Sequence, residues 1–457
     1  MSRGQAVADR TPGIPPGDNR RKRLLVRLTA ATSGGMFMDG FVFASIAVVM
    51  AGQLFRDELG VSSLWQGLIS ASTLVGTMVG GPIAGYVTDR CGRRPMFTAD
   101  LCLFVAAAVL MYFVQAPWQV AALGLAMGVA VGADYAIGSP MLSEFTTADE
   151  RGRYLTVLEI FWNVGYVVAF LAGFLITQAD PHAWRWALAA GAVPAAIILA
   201  VRHGLPESPR WLLARGRREE AHRILEDALG IAPDDPEFAD EAEEQVSWRS
   251  LFGPRYLART VFSCVFWICI VLPYFALTFF QADVLRALGM QNPVASALFG
   301  TAVALTGAVT AWFLVDRVGR RKILIVPMFV TGATLSVVSL GSALPTTVTV
   351  LCFFLYLFFY GIMSVLPGVY PLELFPTSAR TTGVGIASAA SRVGAAIGTF
   401  LLPLTMSAVG FGPLMLVMAL VCVAGGVCSV FMAPETNGKA LSETGGHGSI
   451  STRGASV

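Results

Sequence analysis

The chain has 457 residues, 55% of them hydrophobic and only 14% charged, against about 25% charged in an ordinary soluble domain. So few charges cannot coat a water-facing surface of this size, which excludes a soluble enzyme, a nucleic-acid binder and a disordered scaffold. The net charge of +2 is too balanced to call for a polyanionic partner.

Residues 1–27 are polar and basic and contain no apolar core followed by a cleavage site. A disordered tail without a signal peptide is expected there. Stretches apolar enough to cross a bilayer, which takes about 20 residues, follow at 28–54, 64–87, 95–115, 118–142, 155–178 and 184–202. The polar segment 203–257 carries the charged runs Arg215–Glu220 and Asp234–Glu244 and reads as a soluble linker with one or two surface helices. Six further stretches lie at 258–281, 293–315, 321–342, 346–371, 381–407 and 411–433, before a tail at 434–457. Pro273 is expected to break the seventh. The fold class is therefore an all-α membrane protein: twelve transmembrane helices in two six-helix bundles, 28–202 and 258–433.

Placing both termini inside puts 28 of the 32 Lys and Arg on the inner side, three (Arg56, Arg185, Arg286) outside, and Arg392 within a span. Lys and Arg collect on the cytoplasmic side of membrane proteins. The expected location is the cell membrane, multi-pass, with both termini cytoplasmic.

The halves repeat one another. Asp89-Arg90-x-Gly92-Arg93-Arg94 recurs as Asp316-Arg317-x-Gly319-Arg320-Arg321, an offset of 227. Glu144 followed by Arg151 recurs as Glu373 followed by Arg380, offset 229, and Pro206-Glu207 recurs as Pro434-Glu435, offset 228. Three motifs sharing one offset indicate a tandem duplication of a six-helix unit, an architecture common to secondary transporters. These carboxylates and guanidiniums all fall on the inner side. Asp89, Arg90, Arg93, Arg94, Glu144 and Arg151, with Asp316, Arg317, Arg320, Arg321, Glu373 and Arg380, are expected to form a cytoplasmic gate whose ion pairs latch and release as the halves rock.

These motifs, with Pro206-Glu-Ser-Pro-Arg-Trp211 and Pro434-Glu-Thr-Asn-Gly438, resemble the major facilitator superfamily, the central-loop motif its sugar-porter-like branch. The resemblance spans about residues 30–435. Span 4, from Gly128 through Asp134-Tyr135 to Ser143-Glu144-Phe145, and Met38-Asp39-Gly40-Phe41 on span 1 resemble the metabolite and phosphate proton-symporter branches, with Val42 replacing a second Asp. Arg380-Thr-Thr-Gly383 and Ser391-Arg392-x-Gly394 look like the aromatic-acid, nicotinate and organic-ion branches. The chain departs from sugar porters at Trp312, where the repeated motif has Gly, and at Gly368, where they carry Trp; Cys269, Ile270 and Phe275 stand where their span 7 has hydrogen-bonding side chains.

Asp39, Asp134 and Arg392 lie deep in spans, where a charge costs ~2.5–3.5 kcal/mol on insertion scales. Spans 1, 4 and 11 line the central cavity in the family resembled. Asp39 is the first candidate for proton coupling and Asp134 the second; a packing hydrogen bond is the other reading for each. Arg392 keeps its charge at any working pH and either binds a solute anion or pairs internally with an Asp. Tyr135, Asn163, Phe37, Trp267 and Phe275 are the accompanying substrate-binding candidates. Asp100 and Glu159 sit nearer the cytoplasmic ends, and a packing role is expected for both.

The seven Cys form no CxxC and join no His cluster, so no disulfide framework and no metal site is expected. There is no phosphate-binding loop of the ATPase kind and no catalytic constellation. The expectation is not an enzyme but a secondary active transporter without cofactor. It would use the proton gradient to move a sugar-like polyol or organic acid by alternating access, as a symporter. Its partners would be the solute, protons and the lipid bilayer, with no nucleic acid, and it would act as a monomer. The rival readings are a proton-coupled exporter (an antiporter) of a drug or secondary metabolite and a non-transporting nutrient sensor.

Overall fold

The computed structural model describes residues 19–145, 148–224, 226, 248–375 and 377–436. Among them there is no strand, and twelve helices are long and apolar enough to cross a membrane: Lys22–Met50, Ser63–Thr88, Arg93–Met111, Pro117–Ser139, Tyr154–Ala179, Trp184–Arg202, Leu257–Phe279, Pro293–Val315, Arg320–Ser339, Thr346–Gly368, Thr382–Val409 and Phe411–Met432. They are called spans 1 to 12 below. An even number of crossings puts both ends of the described chain on one face. That face carries the repeated Arg-rich loops and is called the basic face.

Two expectations are corrected. The first helix begins at Asn19, so residues 19–27 are helical rather than part of a disordered tail. No Pro or Gly interrupts them, and Arg27 donates to the Val201 and His203 carbonyls at the end of span 6. Pro273 lies inside the continuous helix Leu257–Phe279, because the close neighbours of a buried span tolerate the missing N–H. The proline that does mark a break is Pro367. The span-10 helix ends at Met363 and is followed by a 3-10 turn at Leu366–Gly368 and a short helix at Tyr370–Leu374. In the linker, helices occupy Pro209–Ala214 and Arg218–Ile224, with a 3-10 turn at Trp248–Phe252; the Asp234–Glu244 run lies outside the described residues.

Hydrophobic attraction between helices is weak in lipid, so close packing must hold them together. Glycine provides it. A methyl on Gly128 would overlap the Thr73 carbonyl, and one on Gly76 or Gly80 the carbonyls of Leu125 or Val129. Spans 2 and 4 therefore touch backbone to backbone, along Gly124, Gly128 and Gly132 of span 4. The second half repeats this. Gly307 and Gly361 join spans 8 and 10 through the carbonyls of Phe358 and Ala304. Likewise Gly40 and Gly165 bring spans 1 and 5 together, and Gly394 and Gly398 seat Ile268 and Leu272 between spans 7 and 11. The duplication read from the loops is thus also present in the packing.

Candidate functional site: a central charged group between two halves

At the basic face the repeated motifs meet each other. Gly92 (φ 99°) and Gly319 (φ 92°) turn the chain into spans 3 and 9. The Glu207 carboxylate accepts from the backbone N–H of Arg93 (2.9 Å) and Arg94 (3.1 Å), and that of Glu435 from Arg320 (3.0 Å) and Arg321 (3.3 Å). Each Pro-Glu motif thus caps the N-terminus of a span, where free N–H groups and the helix dipole favour an anion. Arg320 also pairs with Glu373 (3.2 Å), which accepts from the Thr436 hydroxyl (2.6 Å). Arg321 donates to the Val430 carbonyl, the Arg90 guanidinium lies over the Tyr86 ring, and Arg317 is exposed. The contacts named here each lie within one half. The side chains of Asp89, Glu144, Arg151, Asp316 and Arg380 lie outside the described residues.

Toward the opposite face, ion pairs and rings join the halves. The short helices Gln53–Leu59 and Gln281–Ala287 bring Arg56 to 2.5 Å from Asp283. Arg286 donates to the same carboxylate and to the Ala51 carbonyl. Below them an aromatic layer closes the gap. Phe43 packs on Phe275 (4.9 Å between centroids) and Phe279 (5.9 Å), Trp162 lies 6.0 Å from Tyr274 and 6.1 Å from Phe275, and the Tyr166 hydroxyl donates to the Thr278 carbonyl. On the same face Glu58 ties the start of span 6. Hydrogen bonds from His182, then Trp184 and Arg185, hold its carboxyl below the usual range.

Deeper in, three of the sequence candidates come together. The Arg392 guanidinium sits 5.0 Å from the Tyr135 ring centre and 5.8 Å from that of Phe275. It is 6% exposed, its Nε has no hydrogen-bond partner, and among the described residues no carboxylate forms an ion pair with it. Asp39 is wholly buried and neither of its oxygens has a partner; Arg392 is one of the charges acting on it. Glu159, of span 5, also feels Arg392. Its carboxylate fills the space beside Gly368, where a Cβ would lie 2.7 Å from Oε1. Tyr360 borders this group and stacks on Tyr274 at 3.7 Å.

The other candidates are placed differently. Phe37 packs beside Phe41, whose ring lies against Gly191 of span 6. Asn163 spends its amide on the Glu159 carbonyl one turn back, and Trp267 is buried on span 7 two turns before Tyr274. Asp134 is not an open carboxyl: it pairs with Arg202, which also holds Asp100 at 3.0 Å. Sequence reasoning missed Arg202 by grouping it with the inner linker, because it ends an apolar stretch just before His203-Gly204. Two Asp inside spans without a visible cation were the available signal.

The sequence matches the family described as "Sugar (and other) transporter" over residues 27–445. It is 34% identical to the inner membrane metabolite transport protein YgcS of Escherichia coli, over 95% of this chain and 97% of that one. It is 28% identical to the niacin transporter NiaP of Acinetobacter baylyi, over 90% and 94%. Among solved structures, the xylose transporter XylE of E. coli in a partially occluded inward-open conformation superposes with a TM-score of 0.76 at 20% identity, covering 92% of this chain and 100% of the other. A XylE structure described as a proton:xylose symporter gives 0.74 at 20% identity, over 93% and 99%. The chain therefore belongs to the sugar (and other) transporter family, as a twelve-span secondary transporter of small metabolites with the major facilitator fold.

Proposed function

We propose that the protein couples proton entry to the uptake of a small organic acid across the cell membrane, with the basic face cytoplasmic. The observation that carries this reading is the pairing of a fully buried, unpartnered Asp39 with a buried Arg392 that no described carboxylate engages. A bare carboxylate or guanidinium inside a bilayer is costly. A proton on Asp39 and an anionic group on Arg392 would each remove that cost, so the loaded carrier can swing where the half-loaded one cannot. A sugar-like polyol is the second reading. It is favoured by the XylE fold, while the unclaimed guanidinium favours the acid.

Arg56–Asp283 and the aromatic layer close the opposite face in this conformation. The decisive measurement is transport in proteoliposomes with an imposed proton gradient. Asp39→Asn is expected to abolish proton-driven accumulation while leaving solute exchange intact. Unchanged accumulation would remove Asp39 from the coupling. Solute moving against the direction of proton entry would make the protein an exporter, and absence of any counterflow would make it a sensor.

A further inference from the structure

Beside Asp39 lies a second ionisable cluster, contained within the first half. Arg202, at the end of span 6, places Nη1 3.1 Å and 3.0 Å from the two oxygens of Asp100 on span 3, and Nη2 on Asp134 of span 4. Its Nε donates to the Ala31 carbonyl (3.2 Å), its Nη1 also to the Phe97 carbonyl (2.8 Å), and its Cζ lies 3.4 Å from the centre of the Phe97 ring. Asp100, Asp134 and Arg202 are 4%, 1% and 3% exposed. One guanidinium thus faces two carboxyls in a dry interior.

The two carboxyls therefore meet on one cation, Asp100 through Nη1 and Asp134 through Nη2. Like charges this close do not both ionise. With one proton shared, a single negative charge remains for Arg202 to neutralise, and no uncompensated charge is buried.

Span 1 connects this pair to Asp39. A methyl on Gly35 would overlap the Asp134 carboxyl and the Arg202 guanidinium, so the cluster rests on the backbone there. Asp39 stands one turn further on the same face of that helix, and helical side chains lean toward the N-terminus. Its carboxyl is therefore directed back at the cluster. The charges acting on it come from Asp134, Asp100 and Arg202 of the first half and from Arg392 across the interface.

We propose that Asp100 and Asp134 share one proton under the clamp of Arg202, giving the first half a second proton-holding station one helical turn from Asp39, with Arg202 as its positioning residue. The use of this station in transport rests on the proton-coupled reading above; the shared proton itself does not.

The test is spectroscopic and needs no solute. Infrared absorption of protonated carboxyl groups is recorded for the purified full-length protein near neutral pH, beside the Asp39→Asn, Asp100→Asn and Asp134→Asn variants. Asp39→Asn is expected to keep a protonated-carboxyl band that either of the other two removes, since the carboxyl left behind pairs with Arg202 as an anion. Wild-type absorption in both Asp100→Asn and Asp134→Asn would overturn the proposal. Should those variants fail to fold, carbon NMR of wild-type protein labelled at the aspartate side-chain carbon decides. A resonance in the protonated range is expected to persist in the Asp39→Asn protein labelled in the same way, and its absence there would overturn the proposal. If Asp39→Asn still accumulates solute while the band behaves as described, the coupling reading fails and the shared proton stands.

Discussion

Arg392 is framed by two aromatic faces rather than by a carboxylate, and this sets what it can do. A guanidinium over a ring gains about 0.5–2 kcal/mol and keeps its planar fork free for a bidentate anion. Lysine would keep the charge but lose the fork. Arg392→Lys is therefore expected to raise the KM for an anionic solute about tenfold or more, equivalent to ~1.4 kcal/mol, and to change that for a neutral analogue little. Equal effects on both, in uptake competition, would mark Arg392 as a packing residue. Hydropathy alone singled out Asp39, Asp134 and Arg392, because a charge in an apolar stretch is visible locally. It could not tell Asp39, which has no partner, from Asp134, which has Arg202. Nor could it show that Glu159 fills the place vacated at Gly368. Those distinctions depend on residues more than 60 positions apart.

At the scale of the element, spans 3 and 9 each begin at a glycine with positive φ and are capped by a carboxylate from more than a hundred residues away. Hydrogen bonds to a charged group contribute about 1.5–3 kcal/mol. Glu207→Ala and Glu435→Ala are each expected to lower stability by about that amount. The two effects should add, since the described contacts give the two carboxylates no common partner. Thermal unfolding of both single variants and the double variant in detergent checks this. A double variant no worse than either single one would show that the two caps do not act independently. The helices themselves were legible, because each is an apolar run of bilayer length. Their ends were less so. The helix from Asn19 and the unbroken turn at Pro273 depend on neighbours that supply or replace backbone hydrogen bonds.

At the scale of the molecule, Arg56 and Asp283 differ by 227 positions, the offset that separates the repeated loops. The two short helices that carry them are equivalent by the duplication, and the ion pair lies across its pseudo-symmetry axis. Its side chains are each 16% exposed, so the pair is shielded from much of the solvent. Arg56→Asp would set two carboxylates face to face and is expected to part the short helices, whereas Arg56→Lys should keep them together. Spin labels attached through Leu59→Cys and Ala287→Cys report the separation. No change in distance with Arg56→Asp would show that this face is held shut without the ion pair.

What the sequence determined by itself is everything carried by local composition and by repetition along the chain. That covers the twelve crossings, the two related halves, the basic side and the charges that do not belong in lipid. The tertiary structure decided which of those charges are answered. It joined Asp134 to Arg202, the Pro-Glu motifs to the loops they cap, and Arg56 to Asp283, while leaving Asp39 and Arg392 open. The reason is physical: transfer into a bilayer is a sum over residues of one segment, whereas the cost of a buried charge depends on what the fold sets beside it.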